Sequence, residues 1–157
     1  MPKQPITTEQ AVLWAEDLCS RAEYAAGEIR DKLIRKGLTS AMADRIVDRL
    51  VASRFIDDSR FSRAFVHDKI LYARWGRQKV MSALYQKHVA RDVIKEAIDE
   101  VDEDEYLAGL VELLRAKARG IDEIDYNARI RLYRFAASRG FEPGVIGRAV
   151  DKLKNEG

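Results

Sequence analysis

Cysteine is nearly missing from this chain. Cys19 is the only one in 157 residues, so no disulfide can close within it, and a reducing compartment is the expected setting. Proline is as scarce: Pro2 and Pro5 stand at the start and the third is Pro143, so nothing between them forbids helix. No apolar run approaches the roughly 20 residues that cross a bilayer. No apolar stretch follows Met1-Pro2-Lys3-Gln4-Pro5 to make a signal peptide, which leaves a cytoplasmic protein without a membrane partner as the expectation. Runs of alternating apolar and polar residues bounded by Asn-Gly or Asp-Gly are lacking, and strands are not expected. Catalytic signatures are lacking too. His67 and His88 stand 21 residues apart, far from the spacing of a zinc site, and no glycine-rich phosphate loop or nucleophile elbow occurs. Neither an enzyme nor a cofactor is expected.

What the chain does hold is charge and helical period. Charged residues make up 34% of it, a fraction suited to exposed helix faces, and the net charge is only +2. Thr7 or Thr8 is placed to cap a helix reaching about Arg21; Gly37 can end a second, and Thr39 or Ser40 can cap a third. Asp57 and Asp58 read as caps of the helix that follows them, and Pro143 stands where a last helix favours proline.

The pattern repeats. With Gly37, His88 and Gly140 aligned, at spacings of 51 and 52 residues, Leu33, Leu84 and Ala136 fall four residues earlier and Ile29, Val80 and Leu132 eight earlier. Ala43, Ile94 and Ile146 fall six later, and Val47, Ile98 and Val150 ten later. Each set lies on one helix face, so each unit holds two amphipathic helices joined by a short turn, with a further helix before them. The fold class expected is all-α: three tandem three-helix, helix-turn-helix-like repeats over residues 7–55, 56–101 and 102–157, after a flexible tail at 1–6, forming an elongated, curved array. Histidine is a poorer occupant than glycine of the left-handed turn, so the second turn is expected to be strained or built differently.

Charge is segregated along the chain. Between Ser59 and Arg91 stand eight basic residues and a single acid, Asp68; between Tyr126 and Phe141 stand four arginines and no acid; residues 99–105 carry six acids. Such faces suit phosphates or acidic proteins, and arginine's planar fork suits both. The candidate surface is Arg74, Trp75, Arg77, Lys79, Lys87, Arg91, Arg129, Arg131 and Arg134. Tyr72, Tyr85, Tyr126 and Tyr133 are interleaved with it and could stack on unpaired bases. Plainer roles stand beside these: Trp75 as a staple at a helix start, and the acidic block as the favourable first turn of a helix.

Three segments carry a resemblance: Arg21-Ala-Glu-Tyr-Ala-Ala-Gly-Glu-Ile-Arg-Asp-Lys-Leu-Ile-Arg-Lys-Gly37, Arg54-Phe-Ile-Asp-Asp-Ser-Arg-Phe-Ser-Arg-Ala-Phe65 and Arg74-Trp-Gly-Arg-Gln-Lys-Val-Met-Ser-Ala-Leu84, with Arg134-Phe-Ala-Ala-Ser-Arg-Gly-Phe141 further on. They resemble the RecX family, regulators of the recombinase RecA. The resemblance implies tandem three-helix repeats and binding to RecA filaments on single-stranded DNA. It also implies inhibition of strand exchange and ATP hydrolysis, a place in DNA repair, recombination and the SOS response, and in some members direct DNA binding; no cofactor is implied. The family usually has glycine where Arg54 stands, and often Lys-Gly where Lys87-His88 stands. A monomer is expected. The alternatives are a direct nucleic-acid binder built from helix-turn-helix-like units and a helical adaptor for an acidic partner.

Overall fold

A computed structural model describes residues 6–156. Nine α-helices follow one another among the described residues: α1 Thr8–Arg21, α2 Ala26–Arg35, α3 Ser40–Ala52, α4 Asp58–His67, α5 Arg77–Gln86, α6 Arg91–Asp99, α7 Glu103–Lys117, α8 Tyr126–Ser138 and α9 Pro143–Glu156. No strand occurs among them, and α4 runs on into a π-helical turn, Asp68–Tyr72. They make three three-helix repeats in tandem. Residues 1–5 of the expected tail lie outside the described residues; Ile6 packs against the core of α1–α3.

The helix ends follow local chemistry. Thr7 caps α1 in a reciprocal capping box with Gln10, Thr39 caps α3 by accepting from the Met42 amide, and Pro143 is the first residue of α9. Asp102 caps α7, whose first turn holds Glu103, Asp104 and Glu105, so the acidic block lies at a helix N-terminus. Gly37 and Gly140 end their helices in left-handed geometry (φ 102° and 92°). His88 takes the same conformation (φ 63°), so the second turn is built like the others without glycine's freedom; Arg54 and Arg74 are left-handed as well.

The residues that revealed the repeat form the core. Ile29, Val80 and Leu132, like Leu33, Leu84 and Ala136, are almost wholly buried. Contacts divide the chain into two compact units: one runs through Ser62 and takes in Leu84–Ile94, the other comprises Arg63–Ala83 and Lys95 onward. In the first, Ala11, Val12 and Ala15 of α1 pack with Ile29, Leu33, Ile46 and Leu50; Cys19 is partly buried at its edge. In the second, Tyr106, Leu110 and Leu114 of α7, Leu132 of α8 and Ile146 and Val150 of α9 are buried.

Each unit contains one junction between successive repeats, and the two junctions share a plan. The second helix of a repeat takes a cap from the repeat that follows. The Ala26 amide of α2 donates to Asp58 Oδ1 at 2.8 Å in the first unit. The Arg77 amide of α5, at the same place in its repeat, donates to the Tyr106 hydroxyl at 2.9 Å in the second. Fourteen residues before the reference turn stand Glu23 and Arg74, and each pairs with the residue twenty-eight before the next turn: Glu23 with Arg60 at 2.6 Å, Arg74 with Glu112 at 2.9 Å. The sign is reversed from one junction to the next. Backbones come close at both. A Cβ on Gly27 would collide with the Lys87 carbonyl, and one on Gly76 with Gly140, where the Gly76 amide donates to the Arg139 carbonyl at 2.8 Å.

Helix α8 departs from this plan. It starts three residues earlier than α2 and α5 relative to its turn, carries Ile130 where repeat 1 has Gly27, and is capped by its own Asp125, which accepts from the Ala128 amide at 2.9 Å.

Candidate interaction surface

The nine candidate residues separate into those the fold employs and those it leaves to solvent. Arg77 is well enclosed, with its side chain 14% exposed. It bonds Glu142 at 3.0 Å and Glu103 at 2.5 Å, and its guanidinium lies 4.0 Å over the Tyr106 ring. The Tyr106 hydroxyl donates to Glu142 while accepting from the Arg77 amide, so the four groups satisfy one another. Burial opposes the Arg77 charge, but the hydrogen bonds to Glu142 and Glu103 outweigh it and hold its pKa above the ordinary range. Burial first, and the bond to Glu142 second, push the Tyr106 phenol well above its usual value.

Three further cations are paired. Arg74 lies across Gly109 to reach Glu112, Lys87 meets Glu28 at 2.8 Å, and Arg129 meets Asp151 at 2.6 Å. The basic run at 59–91, almost free of acids in sequence, is therefore partly neutralised in space by Glu28, Glu103, Glu112 and Glu142. Those acids come from α2, α7 and the residue before α9, and nothing local in the sequence points to them except the equal offsets of the junction pairs. Trp75 meets Phe65 edge-to-face, and the Lys69 and Lys79 ammoniums lie 5.0 and 4.2 Å over its ring. Asp57 caps α4 through the Arg60 amide, whereas Asp58, read from sequence as a cap of the same helix, caps α2 instead.

Arg91, Arg131 and Arg134 remain exposed, and none has an ion-pair partner among the described residues. Arg91 opens α6 beside exposed Tyr85 and His88. Arg131 and Arg134 lie on α8, which presents two neighbouring stripes. Tyr126, Ile130 and Tyr133 recur at helical spacing, and Asn127, Arg131 and Arg134 each follow one of them in sequence, about 100° further round. Tyr126 is 76% exposed and Tyr133 40%. The apolar stripe borders a shallow groove of about 190 Å³, completed by Arg129 and by Gly147 and Val150 of α9. No helix among the described residues is long and apolar enough to cross a membrane.

Similarity to known proteins agrees with this architecture. Family models described as the first, second and third three-helix domains of RecX match residues 13–50, 57–98 and 103–150. "Regulatory protein RecX" of Pseudomonas savastanoi pv. phaseolicola is 31% identical, over 85% of this chain and 85% of its own. The proteins of the same name from Clostridium botulinum and Clostridium tetani are 29% and 30% identical over 82% and 80% of this chain, which spans only 61% and 59% of their length. A crystal structure of RecX from Lactobacillus salivarius superposes with a TM-score of 0.85 at 16% identity, covering 93% of this chain and 96% of that one.

Proposed function

Because the chain belongs to the RecX family of regulatory proteins, we propose that it is a cytoplasmic, non-enzymatic monomer that binds RecA filaments on single-stranded DNA and lowers their ATP hydrolysis and strand exchange. The observation that carries the reading is the match of all three RecX domains, in order, on three helical repeats. The binding surface we assign to Arg91 in the first unit and to Arg131 and Arg134, with Lys79 and Trp75, in the second. Among the described residues the three arginines have no ion-pair partner to give up on binding. Arg74, Arg77, Lys87 and Arg129 hold the fold and add to the field around it.

The test is ATP hydrolysis by the cognate RecA on single-stranded DNA with this protein titrated in below stoichiometry. Strong loss of hydrolysis supports the reading; unchanged hydrolysis with a folded protein overturns it. A folded Arg91→Glu/Arg131→Glu/Arg134→Glu variant is expected to need at least several-fold more protein for the same inhibition. An unaltered titration would remove the surface assignment.

A further inference from the structure

Where α4 runs into its π-helical turn, the second unit carries a groove of about 430 Å³. Its floor is apolar: Val66 of α4, Ile70 and Leu71 of the turn, Ala97 of α6 and Val101 of the link that follows. A π turn is rare in helices and is found mostly where it shapes a functional surface. Glu100, Asp102 and Glu105 stand on the rim against Arg63 and His67, so the rim is acidic on balance. Asp102 is engaged in capping α7, but Glu100 and Glu105 have no ion-pair partner among the described residues. An acidic rim repels phosphate, which leaves protein as the class of occupant. The chain itself carries the complement. Helix α8 leaves Tyr126 and Tyr133 exposed beside Arg131 and Arg134, which are as unpaired as the two glutamates. A helix laid apolar face down in an apolar groove is a recurring mode of protein recognition, and flanking charges fix its register. None of the four charges pairs with another within the described residues of one chain, so the match is open to a second copy.

We infer that this groove docks the α8 face of a second copy of the chain, with Tyr126 and Tyr133 on the apolar floor and Arg131 and Arg134 against Glu100 and Glu105. The contact uses one helix and one groove, well short of the roughly 800 Å² per partner of a standard interface, so it is weak and forms only where the protein is concentrated. It covers two of the three arginines assigned above to the filament. Docked copies therefore hold their binding surface in reserve, and the monomer is the form that acts. That consequence rests on the proposed function; the docking itself rests on the two surfaces alone.

The experiment is sedimentation equilibrium of the full chain, without RecA or nucleic acid, at about 50 mM salt and at protein concentrations up to about 1 mM, where even a weak specific contact is populated. The mean mass of wild type is expected to rise above that of one chain. Glu100→Lys/Glu105→Lys and Arg131→Glu/Arg134→Glu should each stay monomeric at that concentration. An equimolar mixture of the two should associate again, because each copy supplies the sign that the other lacks. Ala64, which lines the groove, offers a variant that leaves charge unaltered: Ala64→Trp fills the groove and should abolish the association. The proposal is overturned if wild type stays monomeric at about 1 mM, if association survives Ala64→Trp, or if the mixture of reversed variants fails to associate. A wild type that stays monomeric yet lowers hydrolysis by RecA would remove the docking and leave the proposed function standing. Groove-dependent association without any effect on RecA would do the reverse.

Discussion

Arg77 shows how a residue read from sequence as part of a binding surface can also be tied into the fold. Its charge is matched by Glu142 and Glu103, and its backbone amide by Tyr106. Arg77→Met would leave Glu142, itself only 28% exposed, and the Tyr106 hydroxyl in a depleted network. A loss of about 2 kcal/mol is expected in chemical denaturation, less than for a fully buried pair because Glu103 is in water. Tyr106 adds a pH dependence. Its folded pKa is raised above the ordinary 10.0, so the neutral phenol is favoured in the fold. Stability from this source is fully present below about pH 10 and falls as pH rises beyond it, where the unfolded chain ionises first. Tyr106→Phe should flatten the alkaline limb of a stability–pH curve while lowering stability at neutral pH. Arg54, exposed and left-handed, bears a steric cost that glycine would not; Arg54→Gly should leave the melting temperature unchanged or raise it, by the equivalent of up to about 1 kcal/mol. The sequence pointed to strain at His88 from its alignment with two glycines. For Arg54 the resemblance supplied the signal, a position where the family usually has glycine; for Arg74 the sequence offered none.

Elements were legible wherever a helix announces its own ends. Thr7, Thr39 and Pro143 act within three residues, and apolar residues at helical spacing marked the buried faces of all three repeats. Ends completed from a distance were not legible: α2 relies on Asp58, thirty-two residues on, and α5 on Tyr106, twenty-nine on. Asp58→Ala should therefore destabilise α2 rather than α4, with a cost near 1 kcal/mol and faster hydrogen exchange at the Ala26 amide as its signature. Asp125→Ala, which removes a local cap, should cost a similar amount but act on α8 alone. The candidate surface was half legible for the same reason. Its arginines stand out in sequence, but the acids that neutralise Arg74, Arg77 and Lys87 come from α2, α7 and the residue before α9.

At the scale of the whole molecule, repeated architecture raises a question of order: similar faces could pair in the wrong sequence. The reversed ion pairs oppose this. Were the first repeat to meet the third as it meets the second, Glu23 would face Glu112 instead of Arg60, and like charges would meet. Exposed pairs of this kind add little to stability, so their effect lies in which partner is chosen. Reversing Glu23→Arg alone should lower the melting temperature slightly, and adding Arg60→Glu should recover it, as a double-mutant cycle would read.

The borrowed caps also set an order in time. Synthesis delivers α2 before Asp58, Arg60 and Lys87 exist, so the first repeat leaves the ribosome with its second helix unfinished at one end. It is completed by residues translated later, just as the second repeat waits for Tyr106, Glu112 and Glu142. Only the third, with Asp125 made immediately before α8, finishes its second helix from its own stretch of message. The nascent chain is thus never a row of completed modules awaiting a last one; each stage stays open until its successor arrives, and the self-capped helix is where the waiting stops.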